Sequence, residues 1–254
     1  MITGYPILDN LTGGFSEGNL ITIVGGPLAG KSMFAMNILR NQMEFEVAPN
    51  TAFMTAELSA EDAETAMHKL AAGEGEAKRI KEQILFVDLL KCCPDFESLR
   101  QKIIDLVRRD NVKAIVIDSF HFLPFLENYS YDKLPNISRK LKFLARELGI
   151  IIIITTRPNY QPSERSGLAG KRPFLSDLEY VGDLNYFSDV VLGMMRPEML
   201  GVNVDMEGNS LKGIIQVELL KSRKSFMQLL SYKIMPDNGL IEEKELLDRH
   251  NWVL

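Results

Sequence analysis

A chain of 254 residues, 46% hydrophobic and 25% charged, is long enough to bury one sizeable core and suits a single globular domain. Its formal net charge of −5 excludes a protein that coats nucleic acid non-specifically, while leaving room for a local basic groove. No 20 to 50 residue repeat, low-complexity tract or linker divides it, so residues 1–254 are treated as one domain.

The N-terminus, Met-Ile-Thr-Gly-Tyr, lacks the basic and apolar blocks of a secretion signal, which makes the cytoplasm the expected compartment. The first clear element is the apolar run Leu20 to Val24, predicted as a strand. Directly after it, Gly25-Gly26-Pro27-Leu28-Ala29-Gly30-Lys31-Ser32 fits G-x-x-x-x-G-K-[ST], and Ser32 to Leu39 leads out as a helix with Phe34 and Ile38 on one face. Glycines let successive backbone N–H groups curl around a polyphosphate, and the helix turns its positive end to the same anion. Gly25 to Met33 is therefore the candidate ATP-binding stretch, in which Lys31 reaches the β- and γ-phosphates and the Ser32 hydroxyl ligates Mg²⁺. The bland alternative is a tight turn capped by Ser32.

Further along, Thr51 to Ala56 reads as a strand, followed by a helix that Ser59 caps with Asp62 in its acidic first turn. Ile84 to Val87 is another strand candidate. Cys92 and Cys93, adjacent and without zinc-type spacing, read as buried or bystander thiols. Pro94 to Arg109 carries Phe96, Leu99, Ile103, Leu106 and Val107 at helical spacing. Ala114 to Ile117 has the continuous β-branched signature of a parallel strand buried on both faces, and Asp118 ends it. Ile137, Leu141, Leu144 and Leu148 stripe the next helix, and Ile150 to Ile154 form a strand ending at Thr155 and Thr156. That is the longest apolar run, far short of the roughly 20 residues of a membrane span. Strands alternating with crossover helices predict an α/β fold with a mainly parallel central sheet flanked by helices. The last third differs: Val190 to Leu192, Gly213 to Leu220 and Met227 to Ile234 are strands, the last two an antiparallel hairpin turning at Lys221 to Ser225.

In open parallel sheets ligands bind beyond the carboxyl ends of the strands, so polar residues there should converge. Asp118 would hold Mg²⁺, or else cap a turn. Glu57, 26 residues after Lys31, could deprotonate an attacking water, or be a solvated carboxylate at a helix start. In the hairpin turn, Lys221 and Arg223 are either a solvated loop or cations reaching a neighbouring subunit's γ-phosphate. His121 reads as a packed side chain beside the metal strand. Residues 157–172 hold Arg157, Arg165, Lys171 and Arg172 against the single acid Glu164, with Tyr160 among them. That pattern fits either a surface loop or a track for single-stranded DNA.

Together these blocks resemble the C-terminal ATPase domain of the DnaB-type replicative helicases, a branch of the RecA-like P-loop NTPases. Thr3 to Gly14 is similar to the family's opening "TG…LD…LTGG", Gly26 to Ser32 to its proline-containing phosphate loop, and Ala56-Glu57-Leu58-Ser59 to its "LEMS" segment. The helix from Ile137 to Leu148, then Arg172 to Leu178 and Asp189 to Leu192, continue the likeness in order. The resemblance implies a hexameric, Mg-ATP-dependent motor moving on single-stranded DNA, with Glu57 as base and Lys221 and Arg223 acting in trans. Primase or a helicase loader are the implied partners, and no membrane is. Two departures stand out: Arg157 occupies the place of the family's γ-phosphate-sensing glutamine, and Glu179-Tyr180-Val181-Gly182 replaces "RESG". The family's N-terminal domain and linker helix have no counterpart here. A nucleotide-switched binding module that unwinds nothing is the alternative reading.

Overall fold

The computed structural model describes residues 1–45, 48–126, 134–159, 165–178, 183–205 and 207–247. Nine strands form one sheet, β1 (Leu20–Gly25), β2 (Asn50–Thr55), β3 (Ile84–Asp88), β4 (Val112–Asp118), β5 (Ile151–Thr156), β6 (Val190–Met195), β7 (Ile214–Lys221), β8 (Leu229–Ile234) and β9 (Ile241–Leu247). Their spatial order is β3-β2-β4-β5-β1-β6-β7-β8-β9. The first six run parallel. β7, β8 and β9 extend the sheet antiparallel, so the expected hairpin is two strands of a three-stranded extension.

Every residue of β1, β5 and β6 is buried, as strands covered by helices on both faces must be. One face packs against α2 (Lys31–Asn41), α3 (Ala60–His68) and α4 (Glu74–Gln83), where Phe34, Ile38, Ala63, Met67 and Ile80 enter the core. The other packs against α6 (Phe96–Asp110) and α7 (Leu134–Leu148), where Leu99, Ile103, Leu106, Ile137, Leu141 and Leu144 do. A single helical turn, α5 (Leu89–Cys92), leaves Cys92 exposed and Cys93 buried.

α2 and the turn after it carry polar side chains that tie down the N-terminal segment and the start of β9. Asn37 accepts from Ile241 N at 3.0 Å, Asn41 donates to Thr3 O at 3.0 Å and Gln42 to Ile2 O at 2.7 Å. Tyr5 stacks on Phe34, with Tyr232 edge-on to both. The seven-residue helix α1 (Pro6–Thr12) is too short to persist alone. Glu243 of β9 secures it, accepting from Ile7 N at 2.6 Å, Leu8 N at 3.1 Å and the Tyr232 hydroxyl at 3.1 Å. The helix that follows the phosphate loop is thus held on a frame that both ends of the domain complete.

Candidate functional site

Gly25 ends β1 between β5 and β6. A Cβ there would lie 2.7 Å from Met194 O, so only glycine lets the chain leave the sheet in this register. The loop reverses at Leu28, which has φ 58 and is 72% exposed, and reaches α2 through Gly30 at φ 90. No acidic residue occupies the first turn of α2, leaving its positive end open to an anion. Lys31 Nζ folds back over the loop to donate to Gly26 O at 3.0 Å. Burial pulls its pKa down, against the opposing pull of Asp118 and Glu57, whose charges both reach it.

Asp118 ends β4, two strands away across β5, and is 1% exposed. Ser32 Oγ donates to its Oδ1 at 2.9 Å and Thr155 Oγ1 to the same oxygen at 2.5 Å. Its Oδ2 is buried and has no hydrogen-bond partner among the described residues. Burial pushes the carboxyl pKa up, and the bonds from Thr155 and Ser32 and the Lys31 charge hold it back. A buried carboxylate with one saturated and one bare oxygen, beside a serine hydroxyl, is a hard-oxygen donor set that fits Mg²⁺. Among the described residues no cluster of three or more His, Cys, Asp or Glu could hold a metal.

Glu57 follows β2, next in line beyond β4. Thr55 Oγ1 accepts from Glu57 N at 3.2 Å and Leu58 N at 2.9 Å, while Ala56 N donates to Asp118 O at 2.7 Å. Ser59 then caps α3 by accepting from Asp62 N. These bonds pin the Glu57 loop beside the end of β4, with the carboxylate exposed. Arg157, also exposed, follows β5, so β2, β4, β5 and β1 present Glu57, Asp118, Arg157 and the phosphate loop in a row. Sequence reasoning left His121 out of this row. Burial holds its pKa down to about 4, and the Arg157 and Lys31 charges reinforce the shift. Its only sequence signal was its place three residues after Asp118.

Lys221 and Arg223 lie at the other end of the sheet. Gly25 is level with Met194 and Val217, whereas Lys221 pairs with Val191, about 13 Å further along the strand. Lys221 Nζ donates to Asn185 O at 2.7 Å and Tyr186 O at 3.0 Å; burial lowers its pKa, Asp189 opposes this, and Arg223 and Lys142 add to it. Arg223 projects, its side chain 81% exposed, with one ion pair to Asp189 at 3.2 Å. Neither can serve the phosphate loop of its own chain.

The basic stretch departs from an open row of cations. Arg165 forms a two-pronged ion pair with the buried Asp177 and lies 4.5 Å over the Phe174 ring, and Arg172 is 8% exposed. Arg165 serves local architecture because Asp177, 12 residues beyond it, needs a cation once buried, and Arg172 is itself packed into the fold. Arg157 and Lys171 are not buried. Tyr160, Glu164 and residues 179–182 lie outside the described residues.

A family model for the DnaB-like helicase C terminal domain matches residues 1–234. The replicative DNA helicase DnaB of Helicobacter pylori strain J99 is 28% identical over 274 aligned residues, covering 98% of this chain and 54% of that protein. DnaB of Geobacillus stearothermophilus is 27% identical, covering 87% and 51%. The chain therefore spans about half the length of the curated relatives it matches. Among solved structures, an ATPase domain superposes with a TM-score of 0.79 at 22% identity, over 96% of this chain and 90% of that one. A DnaB-like replicative helicase, solved in a study of its interactions with primase, gives 0.79 at 22% over 96% and 61%. These likenesses give the fold as that of RecA-like ATPase domains. Among the described residues no helix is long and apolar enough to cross a membrane.

Proposed function

The chain belongs to the family of DnaB-like helicase C-terminal domains, and on that premise we propose that it is the ATP-hydrolysing motor of a replicative DNA helicase. The observation that carries this reading is the link from Ser32 Oγ to Asp118 Oδ1 at 2.9 Å, with the Lys31 ammonium under the charge of both Asp118 and Glu57. Backbone amides from Gly25 to Met33 orient the polyphosphate, and Lys31 balances charge that develops on the transferring phosphoryl group. Ser32 and Asp118 are the residues that would hold Mg²⁺, which when bound neutralises phosphate oxygens. Glu57 takes the proton of the attacking water. Arg223 reaches the site of the next copy in a head-to-tail ring, with Lys221 bracing the turn that carries it.

Lys171 faces the phosphates of single-stranded DNA, near the architectural Arg165 and Arg172, while Arg157 stands at the end of β5 beside the nucleotide. Primase or a loader completes the assembly. The test is ATP hydrolysis by the chain with and without single-stranded DNA, alongside its mass in solution. Stimulation by DNA, ring formation with ATP, and loss of both in Lys31→Ala are expected; DNA-stimulated hydrolysis surviving Lys31→Ala would remove the assignment. Arg157 in the sensor place favours one other reading, a nucleotide-switched assembly module, for which hydrolysis would be slow and indifferent to DNA.

A further inference from the structure

β4 ends at Asp118. The chain continues into a single tight turn, Phe120–Phe122, fixed from below by Phe120 and Leu123, each 1% exposed. The turn leaves His121 half-buried, with its ring centroid 4.3 Å from that of Phe122. The buried Ser119 hydroxyl lies 2.9 Å from His121 Nδ1 and 3.2 Å from Thr155 O, at the point where Asp118 and Arg157 emerge from β4 and β5. Nδ1 is thereby engaged, while Nε2 has no hydrogen-bond partner among the described residues.

The surroundings of the ring are cationic. The charges of Arg157, just beyond β5, and of Lys31, at the end of the phosphate loop, both act on it. Two positive charges acting on one imidazole are unfavourable alone and favourable around an anion. Their position identifies which part of the anion. The loop after β1 cradles the inner phosphates, and the row continues away from it through β5 and β4 toward Glu57, the end at which the terminal phosphate of a triphosphate would lie.

We propose that His121 is a further nucleotide-contacting residue: the single Ser119 proton goes to Nδ1, the shorter of its two contacts, the ring proton therefore resides on Nε2, and Nε2 donates to the terminal phosphate of ATP beside Arg157. This rests on the nucleotide reading above and adds to it a group that distinguishes a triphosphate from a diphosphate. Because burial and the neighbouring cations keep the ring neutral at pH 7, its one proton is available for that bond. Ser119 is a positioning residue that sets the tautomer.

Binding of ADP and of a non-hydrolysable ATP analogue to the 254-residue chain tests this. His121→Ala should weaken the analogue about ten- to a hundredfold, the worth of one hydrogen bond to a charged phosphate, and change ADP affinity less than about twofold. His121→Gln, which keeps a donor, should recover most of the loss, and Ser119→Ala should show a smaller defect of the same kind. Should His121→Ala fail to fold, the Gln and Ser119 variants carry the comparison. Equal losses for both nucleotides, or unchanged preference for the analogue, would overturn the role of His121 while leaving the nucleotide site standing. Wild-type chain that binds neither nucleotide would overturn both readings.

Discussion

Lys221 and Arg223 sit two residues apart on one turn, and the structure assigns them different fates on truncation. Lys221→Ala removes two bonds from an ammonium to the carbonyls of Asn185 and Tyr186, at 2.7 and 3.0 Å. Bonds to charged groups contribute about 1.5 kcal/mol each at the low end of their range, appropriate to a half-buried group, so the loss is about 2 to 3 kcal/mol. For a domain of this size that lowers the melting temperature by about 5 to 10 °C. Arg223→Ala removes one exposed ion pair and leaves Asp189 still accepting from Leu20 N and paired with Lys142, a loss of about 0.5 kcal/mol or less. Its cost should instead fall on turnover in the assembled protein, by about a thousandfold or more if it completes a neighbour's site. Mixing Arg223→Ala with Lys31→Ala chains, each inactive alone, gives the decisive assay. An intact phosphate loop then meets an intact Arg223 at about a quarter of the interfaces of a random head-to-tail ring. Hydrolysis should return to that extent. No recovery on mixing, or a stability loss in Arg223→Ala as large as in Lys221→Ala, would refute the reasoning.

Arg165→Ala should behave as a stability mutant, because it strands the buried Asp177 carboxylate; a loss of about 3 kcal/mol by denaturant titration is expected, against little change for Arg157→Ala. Acid should also act through His121. Its folded pKa, about 4, lies below the unfolded value of 6.5, so the unfolded chain binds a proton that the folded chain declines. Stability is complete above pH 6.5 and is lost as pH falls toward 4, and melting curves at pH 7.5 and 5 should show a smaller decline in His121→Gln than in wild type.

The phosphate loop and Asp118 were legible because a fixed spacing and an apolar strand each determine position locally. Glu57 was only half legible: its distance along the chain says nothing of the Thr55 and Asp118 bonds that pin its loop. α1 escaped because seven residues around Pro6 carry little helical signal, and the cap that holds them comes from Glu243, over 230 residues away. β9 was hidden by its charge, since Glu242, Glu243 and Lys244 are what an edge strand tolerates and a buried one does not. α4 buries Ile80 alone among its described side chains and so shows no stripe. Charge counting could not foresee the pairing of Arg165 for a related reason. A sequence gives cations without their partners, and Asp177 claims Arg165 only once the chain has folded.

The central claim is that one triphosphate lies between Lys31, Asp118 and Glu57, with Glu57 serving the water rather than the nucleotide. Glu57→Gln separates those duties, because the amide keeps the shape and loses the base. ATP binding by calorimetry should stay within a few fold of wild type while turnover in the presence of single-stranded DNA falls about a hundredfold or more. Hydrolysis by Glu57→Gln at the wild-type rate would contradict the account.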